Sequence, residues 1–129
     1  MLDDSVVPMD TDVAAPRMRR VAVDIHERIG RNEATFRSIN EDIERGRDAD
    51  DDHTMVGFVC ECGSADCSRL IELTPAEYER VRNDSYRFAI VHGHEVAEVE
   101  TVVERHDRYA VMRKLETSGA VAKETDPRA

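Results

Sequence analysis

Three cysteines fall within eight positions, Cys60–Glu61–Cys62–Gly63–Ser64–Ala65–Asp66–Cys67, in a chain that has no others. This C-x-C-x4-C stretch constrains the fold more than any other, because thiols so close in sequence can converge on one point. An odd number of clustered cysteines argues against a disulfide framework and for a metal or reactive thiols. Gly63 is expected to supply the backbone freedom that turns the chain around that point. Three thiolates suit a soft or borderline cation, and structural zinc is usually four-coordinate, so a fourth ligand must come from elsewhere. The best source is His92–Gly93–His94–Glu95, separated from Cys67 by 24 residues at His92 or 26 at His94. Strand alternation sets His92 beside Phe88 and Ile90 as a packing residue, whereas His94 falls at a strand end. The expected ligands of one zinc ion per chain are therefore Cys60, Cys62, Cys67 and His94, with His92 as the competing fourth. His53 and His106 are more remote candidates, and an iron–sulfur centre with three cysteines and one histidine is chemically open.

The chain has 129 residues, with 18 Lys plus Arg against 28 Asp plus Glu and a net charge of −10. This length implies one domain. No broad basic face exists for a phosphate backbone, which excludes nucleic acid as the main partner; Arg17, Arg19 and Arg20 read as solvated helix-end charge. No apolar run approaches the ~20 residues needed to span a bilayer. Met1 to Asp12 carries Asp3, Asp4, Asp10 and Asp12 and lacks the basic region of a secretory signal, so the expected location is the cytoplasm.

Residues 1–15 read as a disordered acidic tail. Over residues 16–46, Met18, Ala22, Ile25, Ile29, Phe36, Ile39 and Ile43 form one stripe of an amphipathic helix that Pro16 opens and Gly46 closes. As a heptad the stripe places Ala22, Ile29, Phe36 and Ile43 at a, with Met18, Ile25, Asn32 and Ile39 at d, but its flanks offer few charge pairs beyond Arg28 and Glu33. Docking of the helix on its own domain therefore competes with a coiled coil, and Gly30 weakens a free-standing helix. Residues 47–54 form an acidic linker with Asp48, Asp50, Asp51 and Asp52, lacking the frame and central glycine of an EF-hand.

Residues 55–115 read as a small metal-binding α+β domain. Met55–Cys60 and Arg69–Leu73 are expected strands on either side of the cysteine loop, followed by Arg87–His92 and a hairpin of Val99–Glu104 with Tyr109–Leu115. Thr74–Pro75–Ala76–Glu77 is a helix start with a capping box, Pro at its first position, and a Leu73–Tyr78 staple. Residues 116–129 are expected to be a C-terminal tail, with Ala120–Lys123 able to form a short helix or strand. The fold class is thus α+β: a long N-terminal amphipathic helix plus a small zinc-stabilised domain of short antiparallel strands and one helix. A core of only about 60 residues is marginal without a helper such as a metal.

Several segments together carry a resemblance. They are Arg31–Asn32–Glu33 with Phe36–Arg37 and Asn40–Glu41, Phe58–Val59–Cys60–Glu61–Cys62–Gly63 with Cys67, and Ile71–Glu72–Leu73–Thr74 with Glu77–Tyr78. Gly93–His94–Glu95, Val102–Val103–Glu104 and Thr125–Asp126–Pro127–Arg128 complete the set. Across roughly residues 27–128 the chain resembles a family of small, functionally uncharacterised bacterial proteins. That resemblance implies His94 over His92 as the partner of the cysteines and carries no activity with it. Similarity to the CDGSH class stops at C-x-C, because the third cysteine comes too early and Ser68–Arg69 replace the Asp-Gly-x-His run.

The catalytic readings do not assemble. A zinc hydrolase with Glu95 as base needs an open coordination position, which three thiolates and a histidine would close. A cysteine nucleophile lacks an identifiable orienting group, and no phosphate loop or dinucleotide fingerprint is present. The expected function is a non-catalytic protein-interaction or regulatory module, meeting a protein partner or a second copy through the first helix. The alternatives are a thiol-based redox sensor that releases zinc on oxidation and a zinc- or cysteine-dependent hydrolase.

Overall fold

The computed structural model describes residues 7–46 and 52–128, with the side chains of the first helix described from Ile25 onward. Helix α1 spans Val7–Arg45 and is followed by strands β1 (Val56–Val59) and β2 (Leu70–Leu73), helix α2 (Pro75–Val81) and strand β3 (Arg87–Ile90). Strands β4 (Glu100–Arg105) and β5 (Ala110–Lys114), a 3-10 turn at Glu116–Ser118 and helix α3 (Ala120–Glu124) complete the chain. The architecture is mixed α+β with short antiparallel strands. Helix α1 begins ahead of Pro16, so residues 7–15, expected in the tail, are helical. Ala14 and Ala15 favour that extension, and Pro16 sits inside the helix at the loss of one backbone donor. Residues 1–6 of the expected tail and 47–51 of the expected linker lie outside the described residues.

The strands form two antiparallel sheets. β1 pairs with β2, Val56 opposite Leu73 and Val59 opposite Leu70; the larger sheet has the order β3–β5–β4. A bulge between Val102 and Glu104 adds a residue to β4, which therefore ends at Arg105. Both faces of β3 and β5 are covered. Ala89 and Val111 pack with Phe58, Ile71, Leu73, Tyr78, Val81 and Tyr109 on one face, whereas Phe88, Ile90, Ala110 and Met112 pack with Cys60, Cys62 and Ala122 on the other.

Helix α2 starts as its sequence dictates. Thr74 Oγ1 accepts from the Glu77 amide at 3.1 Å and Glu77 Oε1 accepts from the Thr74 amide at 2.8 Å, with Pro75 at the first turn. Leu73 and Tyr78 share the first core, as a staple requires.

Helix α1 docks on its own domain mainly through a polar face beside the apolar stripe, of which Ile43 packs against the first core. Gly30, Glu33, Arg37, Asn40 and Glu41 are the buried positions, while Ile25 is 45% and Ile39 40% exposed and Ile29, Phe36 and Ile43 are half-buried. At 100° per residue, the stripe lies about 100° around the helix from the buried face. The inward side chains are bound by specific polar contacts. Arg37, fully buried over the Phe88 ring, donates to the carbonyls of Ser85 and Ala122, both at 2.7 Å. Gly30 allows α3 to approach, since a Cβ there would meet Val121 at 3.2 Å.

The C-terminal segment is no tail. Asp126 binds Arg82 and Ser85, Arg82 Nε donates to Glu41 at 2.5 Å, and Arg128 spans Glu41, Glu44 and Glu79. Residues with little hydrophobic periodicity are thus held to α1 and α2 by charge, a signal that apolar patterning does not carry.

Asp126→Ala strands the buried Arg82 guanidinium beside one carboxylate and is expected to cost about 3 kcal/mol or more in a denaturant titration. These contacts hold the Asp126 carboxyl down at about 2 against an ordinary 3.8, burial opposing them. Its contribution is therefore present above pH 3.8 and lost as pH falls from 3.8 toward 2. The variant's stability should change less than the wild type's across that interval; equal losses would contradict the assignment. Thr74→Ala should cost ~1 kcal/mol, and an unchanged midpoint would place the helix start elsewhere.

Candidate metal centre

The residues after β1 carry the site. The Cys60 amide donates to the Arg69 carbonyl at 2.9 Å, extending the β1–β2 ladder, and the Glu61 amide donates to the Ala89 carbonyl at 2.8 Å, bridging to β3. Side-chain roles then alternate. Cys60 and Cys62 gather with Cys67 and His94, and the ligand atoms of all four lie within 4.8 Å of one another. Val59, Glu61 and Gly63 are the positions that α1 grips.

The grip is polar and specific. Asn40 accepts from the Val59 amide through Oδ1 and donates to the Val59 carbonyl through Nδ2, both at 2.8 Å, so one side chain caps an open strand edge. Asn40 also donates to Glu61 Oε2 at 2.8 Å. The fully buried Glu61 carboxylate accepts further from Tyr78 Oη at 2.7 Å and the Ala89 amide at 2.9 Å. Asn32 donates to the Gly63 carbonyl at 2.9 Å. A Cβ on Gly63 would come within 2.5 Å of Ile29 Cγ2, so Gly63 is needed for the close approach of α1. The expectation that Gly63 supplies an unusual backbone turn is corrected: among the described residues, the positive-φ glycine is Gly93.

Gly93, at φ 86°, occupies the third position of a turn closed by the His94 amide on the Val91 carbonyl at 3.1 Å. This turn brings His94 Nδ1 to 3.5 Å from Cys60 Sγ and 3.7 Å from Cys67 Sγ. His92, the second residue of this turn, is exposed and apart from the cysteines, with Nε2 at 2.6 Å from the His106 carbonyl. The expected packing of His92 with Phe88 and Ile90 fails because β3 ends at Ile90, and alternation stops with it. His106 pairs with Glu104 and stacks on Tyr109, away from the cysteines.

Cys60 and Cys62 are buried and Cys67 is partly buried. Burial raises the Cys60 and Cys62 thiols above the usual thiol range; Cys62 and Cys67 add to the effect at Cys60, and Cys67 adds to it at Cys62. The Val91 amide, 3.2 Å from Cys60 Sγ, works in the opposite direction by favouring the thiolate. A cation entering between these groups would displace thiol protons, so its binding weakens in acid.

Beside the loop, the buried Lys114 ammonium lies 2.9 Å from Glu33 Oε1 and 3.0 Å from Glu100 Oε1. Burial first, then the neighbouring Glu100 carboxyl, raises Glu33 to about 9, with the Lys114 ammonium opposing them. None of these polar partners follows from cysteine spacing or apolar periodicity. The available signal was the helical spacing of Glu33, Arg37, Asn40, Glu41 and Glu44, which place polar groups along one face.

Compared with family models, curated proteins and solved structures, the chain matches none of them.

Glu33 takes up a proton on folding between about pH 4.5 and 9, so its contribution is complete below 4.5 and is lost as pH rises toward 9. Glu33→Gln mimics the protonated acid. It should fold and show a smaller fall in melting temperature between pH 6 and 8.5 than the wild type; an identical fall would contradict a protonated Glu33.

Proposed function

We propose that this chain is a small zinc-binding protein whose zinc is structural, held once per chain by Cys60, Cys62, Cys67 and His94. The observation that carries this reading is the convergence of a histidine nitrogen with three cysteine sulfurs, all within 4.8 Å, among the described residues. For Zn–S of ~2.3 Å and Zn–N of ~2.0 Å, a tetrahedron has S–N edges of roughly 3.5 Å. The sulfur–nitrogen separations of 3.5 and 3.7 Å match those edges. An iron–sulfur cluster distributes its ligands over separate irons, and so fits this tight set less well than one ion. Four protein ligands fill the tetrahedron, which favours a structural over a hydrolytic role.

The zinc would fasten the residue 59–63 segment on the side opposite α1. Zinc binding by Cys/His sites supplies on the order of 10 kcal/mol near neutral pH, enough to dominate the stability of so small a core. The protein then acts as a non-catalytic interaction or regulatory module. The α1 flank supports this, since Ile25 and Ile39 stay exposed after the helix has docked through its polar face. The resemblance to small bacterial proteins agrees with His94 as the fourth ligand.

Elemental analysis of protein purified without added metal should find one zinc per chain. Cys62→Ser should lower both the zinc content and the melting temperature. A brown, iron-containing protein, or a metal-free protein with an unchanged melting temperature, would contradict the reading.

A further inference from the structure

The ligands of the proposed centre are unequal. Cys60 and Cys62 are 1% and 2% exposed, and the Val91 amide donates to Cys60 Sγ at 3.2 Å. Cys67 is only partly buried, in a loop whose neighbours Ser64, Ala65, Asp66, Ser68 and Arg69 are all exposed. Its sulfur lies 3.7 Å from His94 Nδ1, and the residue packs at the edge of the core that holds Cys60 and Cys62. Zinc with three thiolates leaves the centre with one net negative charge, which keeps electron density on sulfur. The Val91 amide withdraws that density from Cys60, and burial shields both Cys60 and Cys62 from reagents.

We propose that Cys67 is a modification site: a reactive, metal-bound thiolate through which hydroperoxides and soft electrophiles open the centre. This inference rests on the zinc reading and adds a regulatory step to it. The Cys67 thiolate attacks the outer oxygen of a hydroperoxide, the O–O bond breaks, and Cys67 becomes a sulfenic acid while the alkoxide or hydroxide takes a proton. The Cys62 thiolate then attacks the Cys67 sulfur and displaces its oxygen, which leaves as water after accepting a second proton. Two electrons pass from the two sulfurs to the peroxide. The new Cys62–Cys67 disulfide removes two of four ligands, and Cys60 with His94 no longer retains the ion. The same step loosens Gly63, and with it the hydrogen bond to Asn32 on α1.

The test uses the zinc-loaded full chain. Iodoacetamide labelling is followed by peptide mass spectrometry, with zinc release read in parallel by a chromogenic chelator. Cys67 is expected to alkylate at least roughly tenfold faster than Cys60 or Cys62, with zinc leaving at the same rate. Hydrogen peroxide should yield the Cys62–Cys67 disulfide and free zinc. Equal labelling of the three cysteines, retention of zinc after Cys67 is modified, or a disulfide that uses Cys60 overturns the inference and leaves the zinc reading standing. Protein that contains no zinc before treatment overturns both.

Discussion

At Val59 the open edge of β1 is closed by a single side chain. Asn40 replaces the missing strand at Val59 by satisfying both its amide and its carbonyl, and the same amide group reaches the buried carboxylate of Glu61. Leaving these groups unpaired in the interior would cost about 1–3 kcal/mol each, so the segment can be buried only where α1 presents Asn40 in register. The position of Cys60 and Cys62 depends on that register. They alternate with the residues α1 holds, and a one-residue slip would turn the sulfurs away from Cys67 and His94.

A helix docked by Glu33, Arg37, Asn40 and Glu41 differs energetically from one docked by leucines. Each buried charge loses hydration, and its ion pair or hydrogen bonds return only part of that loss, so such contacts select one arrangement more than they stabilise it. Arg37 over Phe88, Lys114 between Glu33 and Glu100, and Arg82 between Glu41 and Asp126 all join segments distant in sequence. Their geometry therefore defines how α1, the β3–β5–β4 sheet and the C-terminal residues meet. In the proposed account, zinc supplies stability that this polar interface does not.

The local signals were legible where physics is local. The capping box at Thr74, the strands flanking the cysteine loop and the β4–β5 hairpin follow from short-range patterns, and their boundaries shift by only a residue or two. Convergence of His94 on the cysteines was legible from its place at a strand end, although the turn at Gly93 that performs it was not. The docked face of α1 was misread because apolar periodicity points to Ile25, Phe36 and Ile39, whereas the buried face is recognised by partners on β1, β5 and α3. Likewise, Asp126 and Arg128 look like tail residues until their partners at Arg82, Glu41 and Glu79 are known.

The central claim is that metal on one side of residues 59–63 holds α1 on the other. Hydrogen exchange, measured by mass spectrometry on the zinc-loaded chain and after chelation of zinc, tests it most directly. Amides of α1 from Ile29 to Arg45 should lose protection together with those of residues 59–63 when the metal is removed, because α1 helicity there depends on docking. Protection of α1 that stays unchanged while the cysteine loop opens would contradict the account.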